Sequence, residues 1–133
     1  MGVRSRAMPE ERTAFVTGGS GFIGGALIRR LVRDGFRVRA LARSDRSAAA
    51  VEEAGATAVR GDLQERESMR AGAEGCELAF HAAAHLGDWG DPEEFERDNV
   101  IGTENALAAS GMPASAVSFT WGPRRRCSPA TRW

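Results

Sequence analysis

The 133-residue chain contains no tyrosine and no lysine, and all eighteen of its basic residues are arginine. It therefore offers neither a phenol nor a tunable ammonium group for proton transfer, and arginine cannot serve as a base near neutral pH. Two cysteines, Cys76 and Cys127, are too few for a disulfide framework, and no CxxC or Cys/His spacing suggests zinc. Cys76 stands just before an apolar run and reads as a small core residue. Neither sign of charge is in excess, because eighteen acidic residues balance the arginines. Composition thus gives no reason to expect nucleic acid or an anionic membrane as partner. No apolar run approaches the length of a membrane span, and the opening MGVRSRAMPEER lacks the apolar core of a signal peptide. Residues 1–12 are expected to form a charged, disordered leader on a cytoplasmic protein. The remainder reads as one domain, large enough to bury roughly two-thirds of its unfolded surface.

What the chain does have is glycine, sixteen residues of it, and the informative ones fall in TAFVTGGSGFIGGALIRRLVRDG, Thr13 to Gly35. The apolar run Ala14–Phe15–Val16 predicts a strand, and Ile23, Leu27 and Leu31, recurring every four residues, predict a helix that Gly35 ends. Between them stand Gly18, Gly21 and Gly24. In a dinucleotide site the first glycine turns the backbone off the strand and the second lets a pyrophosphate reach the amides. The third lets the helix pack closely on the sheet, and the helix start offers N–H groups and a positive dipole end. A glycine-rich surface turn can share this spacing; the strand before it and the helix after it favour the phosphate-binding reading.

Phe36 to Ala42 predicts a second strand, with Arg43 at its C-terminal end. An acidic residue at this point binds the ribose 2′-hydroxyl of NAD, whereas an arginine accommodates the 2′-phosphate of NADP. Arg43 favours NADP, and Asp45 keeps NAD open. Ser44 or Asp45 is placed to cap a helix running to about Ala54, with Gly55 beyond it. Thr57 to Arg60 reads as a third strand and Leu63 to Ala73 as a polar helix, for which Asp62, taken alone, is an N-cap. A fourth strand begins at Glu77 and continues through His81 to His85. Those two histidines invite a metal-pair or acid–base reading. Four apart on an extended segment, they share parity but stand well separated, so packed or hydrogen-bonded histidines are expected. Asp91, Pro92 and Glu94 announce a further helix, as N-cap, N1 and N3.

The wording TGGSGFIG resembles the fingerprint of the extended short-chain dehydrogenase/reductases, the NAD-dependent epimerase/dehydratase family. Gly61–Asp62–Leu63 is similar to that family's GD(L/V) step, His81 to Ala84 to its strand ending in H-x-A-A, and NVIGTENALAA to its N-V-x-G-T-x-N-x-L-x-A-A helix. HAAAHLGDWGDPEEFERDNVIGT resembles the steroid-dehydrogenase-like and dihydroflavonol-reductase-like branches. The resemblance implies an α/β, Rossmann-type doubly wound parallel sheet, truncated here to the N-terminal four or five strands. It also implies a cofactor site. Gly18, Ser20, Gly21, Phe22, Ile23 and Gly24 would meet the pyrophosphate and Arg43 the 2′-phosphate. Asp62 and Leu63 would lie on the adenine side, with Ala82, Ala83 and Ala84 at the central cofactor and Asn99 towards the nicotinamide. No catalytic residue and no metal ligand is assigned.

The resemblance stops near Ser110. The family continues with a strand of the form RFVHVSS and then a Tyr-x-x-x-Lys pair that moves the proton while hydride passes to or from the nicotinamide. Residues 111–133 offer neither. Shifted by one base, codons for this tail can encode ARVRRFVHVG, which resembles the missing strand, so a frameshift near Ser110–Pro113 is expected. The domain is accordingly placed at 13–110 and a non-family tail at 111–133. Without a fifth strand the fourth is an exposed apolar edge, although Val117, Phe119 and Trp121 alternate with Ser118 and Thr120 and can fill that slot. The function implied is the NAD(P)-binding domain of an oxidoreductase or epimerase acting on a hydroxyl or keto group of a small molecule. Such a catalytically incomplete fragment would meet a small-molecule substrate only in a full-length form. The alternative is a non-catalytic NADP-binding sensor or interaction module.

Overall fold

The first strand, β1 (Thr13–Thr17), is the centre of the fold, with Ala14, Phe15, Val16 and Thr17 all buried. The computed structural model describes residues 11–83, 90–110 and Phe119–Thr120. Every strand pairing is parallel and the strand order is β3-β2-β1-β4-β5. The strands are β2 (Arg37–Ala42), β3 (Thr57–Arg60), β4 (Leu78–His81) and β5 (Phe119–Thr120).

Alternation along β1 splits the core in two, as successive side chains on a strand must. Ala14 and Val16 face a cluster with Ile28 and Leu31 of α1 (Phe22–Arg33) and Val51 of α2 (Asp45–Glu53). Phe15 faces Met69 and Ala73 of α3 (Arg66–Ala73) and Ala109. With helices on both faces and a wholly parallel sheet, the architecture is the α/β, Rossmann-type doubly wound fold that the sequence implies.

Local chemistry explains most of the boundaries. Ser44 caps α2 in a reciprocal box with Ser47, and Gly35 and Gly55 stop α1 and α2 with φ of 89° and 104°. Asp91 caps α4 (Pro92–Phe95), its carboxylate accepting from Glu93 N at 3.0 Å with Pro92 in the first turn. The chain then passes through a π-helical stretch, Glu96–Ile101, into α5 (Gly102–Ser110).

Several expectations are corrected in detail. The helix expected from Ile23, Leu27 and Leu31 is α1; Leu31 is buried and Leu27 packs half-buried against the core, while Ile23 is exposed and Ile28 buried. The buried face of α1 runs through Gly24, Ile28 and Leu31, leaving Ile23 and Leu27 on its flank. The helix expected from Leu63 begins only at Arg66, because Leu63 and Gln64 form a turn closed by Glu65 N on Asp62 O at 3.0 Å. Asp62 is not its N-cap; Glu65 holds that position. The anticipated edge slot beside β4 is occupied by β5, with Phe80 opposite Phe119 and His81 opposite Thr120. Glu11 and Arg12, assigned above to the leader, meet the sheet: Arg12 pairs with Glu77 at 3.2 Å and lies over the Phe36 ring. Residues 1–10, Ala84, His85, Arg124 to Arg126, Cys127 and the rest of the tail apart from Phe119–Thr120 lie outside the described residues.

Candidate functional site

Chain order places β2 on one side of β1 and β4 on the other, so the loops leaving β1 and β4 diverge at adjacent strand ends. Open α/β sheets bind ligands at such a switch point. A cleft of about 310 Å³ opens here, within the size range of small-molecule sites.

The floor of the cleft is backbone. Gly18 leaves β1 with φ of 71°, and a Cβ placed there would meet Ala83 N at 2.5 Å and Ala82 C at 2.6 Å. Only glycine both takes this conformation and lets the two strand ends come so close. At Gly24 a side chain would run into the carbonyl of Gly18, so this glycine fits α1 to the loop itself rather than to the sheet. Gly21 differs: a Cβ there would find nothing closer than Gly18 O at 3.4 Å, so the space above it is open. Gly21 N donates to Gly18 O at 3.1 Å, and no side chain caps the helix that starts after it. An uncapped helix start beside an open glycine cradle suits an anionic diphosphate.

Gly18, Ser20, Gly21, Arg43, Asp62, Leu63, Ala82 and Ala83 all line this cleft, which gathers residues from both sides of the switch point. Phe22, Ile23 and Gly24 do not line it; the Phe22 side chain is 94% exposed. Ala84 lies outside the described residues. On the π-helical stretch, Asp98 rather than Asn99 faces the cleft. A π turn takes in an extra residue, which changes the side chain presented to a given direction. Sequence reading also missed Leu41, Ser47 and Gly61, which complete the wall near Arg43 and Asp62. The Asp-Asn order at 98–99 and the Ser44–Ser47 spacing carried no signal for facing.

Charge is arranged along the cleft. Arg43 lies at the end of β2, with Ser47 beside it on α2. Asp45, the residue that kept NAD open, forms an ion pair with Arg60 and does not line the cleft. Asp62 Oδ1 accepts from Gln64 N at 3.1 Å. Leu63 O accepts from Asn105 Nδ2 at 2.9 Å, and Asn105 Oδ1 lies 3.4 Å from Arg66 Nε.

His81, the last residue of β4, is buried between two threonines. Its Nδ1 lies 2.6 Å from Thr17 Oγ1, and its Nε2 lies 3.0 Å from Thr103 Oγ1. Thr103 spends its only hydroxyl hydrogen on Asn99 O at 2.7 Å. Nε2–H must therefore donate to Thr103, and Nδ1 accepts from Thr17. Burial pushes the His81 pKa below the usual histidine value, which keeps the ring neutral. His81 is thus the hydrogen-bonded histidine expected from sequence. Among the described residues, no cluster of histidine, cysteine and carboxylates is arranged to hold a metal, and no helix is long and apolar enough to cross a membrane.

The model for the NAD dependent epimerase/dehydratase family matches residues 14–119, past the boundary drawn above at 110. Among curated relatives, a 4-hydroxy-2-methyl-3-oxo-4-farnesyl-3,4-dihydroquinoline-1-oxide ketoreductase of Stigmatella aurantiaca is 47% identical over 96 residues, covering 72% of this chain and 29% of the relative. A 2-alkyl-3-oxoalkanoate reductase of Shewanella oneidensis is 40% identical over 96 residues, covering 72% and 24%. A UDP-glucose 4-epimerase of Stenotrophomonas maltophila, solved with bound NAD, superposes with a TM-score of 0.67 at 25% identity, covering 74% of this chain and 33% of that one. The chain thus spans less than a third of the length of the curated relatives it matches.

Proposed function

Because the chain belongs to the NAD-dependent epimerase/dehydratase family, whose cofactor is a nicotinamide dinucleotide, we propose that its cleft binds NADP in preference to NAD. In this reading it forms the nucleotide-binding part of an oxidoreductase or epimerase acting on a hydroxyl or keto group of a small molecule. The observation that carries the reading is the open space over Gly21 beside an uncapped helix start, walled by Gly18 and Ala82–Ala83. The residues present fit the group. Gly18, Ser20 and Gly21, with the first amides of α1, hold the diphosphate. Asp62 and Leu63 take the adenine side, and Ala82 and Ala83 leave room for the central cofactor.

Arg43 supports the choice of NADP, since a guanidinium at the end of β2 suits a 2′-phosphate. Asp45, the neighbouring carboxylate, pairs with Arg60 and does not line the cleft. When bound, the nicotinamide supplies hydride transfer; these residues bind and orient it. The Tyr-x-x-x-Lys pair of the family is not among these 133 residues, and no proton-transfer role is assigned to any of them.

Titration of the purified chain with NADPH and with NADH, followed by nicotinamide fluorescence, tests the reading. Saturable binding is expected for both, tighter for NADPH. Equal or reversed affinities overturn the NADP assignment, and no saturation with either overturns the cofactor assignment.

A further inference from the structure

Asn105 is a buried amide, 6% exposed, on the face of α5 that packs towards α3. Its Nδ2 donates to Leu63 O at 2.9 Å, across 42 positions of sequence. Gly102, one turn earlier, lies against the same residue, and a Cβ there would touch Leu63 Cβ at 3.4 Å. The Leu63–Gln64 peptide is therefore held from α5 as well as by its own short turn: its carbonyl accepts from Asn105, its N–H donates to Asp62 Oδ1, and Glu65 N closes the turn on Asp62 O. Asp62 and Leu63 both line the cleft, and Asp62 Oδ1 is already turned towards Gln64 N.

We propose that Asn105 is a positioning residue that sets the base selectivity of the cleft, a role that rests on the nucleotide-binding reading above. An ionised carboxylate only accepts hydrogen bonds, so at Asp62 it favours a purine with an amino group at position 6 and disfavours one with a carbonyl there. That discrimination requires the carboxylate to stay at a fixed height on the wall. Asn105, through Leu63 O, fixes the peptide whose N–H holds Asp62 Oδ1; the turn's own bonds alone would let Asp62 yield to either base. A merely structural role for Asn105, satisfying its own buried amide, would change the affinity for all purine nucleotides together.

The experiment compares ADP with inosine diphosphate by calorimetry on the full chain and on Asn105→Asp, which sets an acceptor against the Leu63 carbonyl. The native chain is expected to prefer ADP about tenfold, the scale of one charge-assisted hydrogen bond. The variant should bind the two alike. A variant that keeps the native preference, or a native chain that shows none while binding both nucleotides, overturns the proposal and leaves the cofactor site standing. A native chain that binds neither of these nor NADPH overturns the nucleotide reading itself. Should Asn105→Asp fail to fold, the side-chain amide resonances of Asn105 in the native chain decide. They are expected to move with ADP and not with inorganic pyrophosphate; resonances that ADP leaves unmoved overturn the proposal.

Discussion

Thr17 and His81 end adjacent parallel strands in register, and the threonine hydroxyl donates to His81 Nδ1 across 2.6 Å at the point where the two chains part. One residue further on are Gly18 and Ala82, two backbone walls of the cleft. The imidazole therefore ties the mouth of the site together, and through Thr103 it ties the sheet to the π-helical stretch as well.

Thr103→Val removes the oxygen that accepts from His81 Nε2 and leaves that N–H unpaired in the interior. The expected loss of stability is about 1–3 kcal/mol. Thr103→Ser, which keeps the hydroxyl, should lose much less. Urea denaturation of the three proteins measures the difference, and equal losses for valine and serine would contradict the hydrogen-bond assignment.

The same ring gives a pH dependence with a definite sign. The folded pKa lies below the usual 6.5, because burial penalises the charged form. Above the unfolded value both states are neutral and His81 contributes nothing. As pH falls below it, the unfolded chain takes up a proton that the folded chain refuses, so stability declines until the folded pKa is passed. Denaturation midpoints followed from neutral pH to about pH 5 should fall more steeply for the native chain than for His81→Asn, which does not titrate.

Ile28 and Ile23 distinguish the observed face of α1 from the simplest sequence pattern. Ile28→Ala should cost about 2–5 kcal/mol, as for a large side chain removed from a closed core. Ile23→Ala should lie within about 0.5 kcal/mol of the native protein. Thermal or urea denaturation separates the two.

Arg43→Ala should weaken NADPH about tenfold or more and change NADH little, since a charge-assisted contact is lost only where a 2′-phosphate is present. Fluorescence titration of both cofactors provides the comparison. A parallel loss for both would mean that Arg43 serves the fold instead.

These outcomes also mark how far the sequence could be read. The glycine turn was legible because Gly18 and Gly24 answer to backbone geometry, which leaves a fixed spacing in the chain. Ser44, Gly35, Gly55 and Asp91 were legible for the same local reason. Packing direction was not. Ile23 and Ile28 are equally apolar, and the side of α1 that meets the sheet shows only once Gly24 closes on the Gly18 carbonyl and Ile28 and Leu31 pack into the core. Asp98, which lines the cleft, lies on a π-helical stretch that no residue pattern announced. Asn105 lay inside a recognised motif, yet its partner Leu63 is distant in sequence and the contact appears only once α5 has packed towards α3.

The central claim is that a bare backbone turn between β1 and α1 holds a diphosphate. The backbone amide spectrum of the 15N-labelled chain, titrated with NADPH, tests it most directly. The account predicts saturable shifts centred on Ser20 to Gly24, with companions at Ala82 and Ala83. Saturable binding whose shifts fall elsewhere, or amides of that turn that stay still at every concentration, would contradict it.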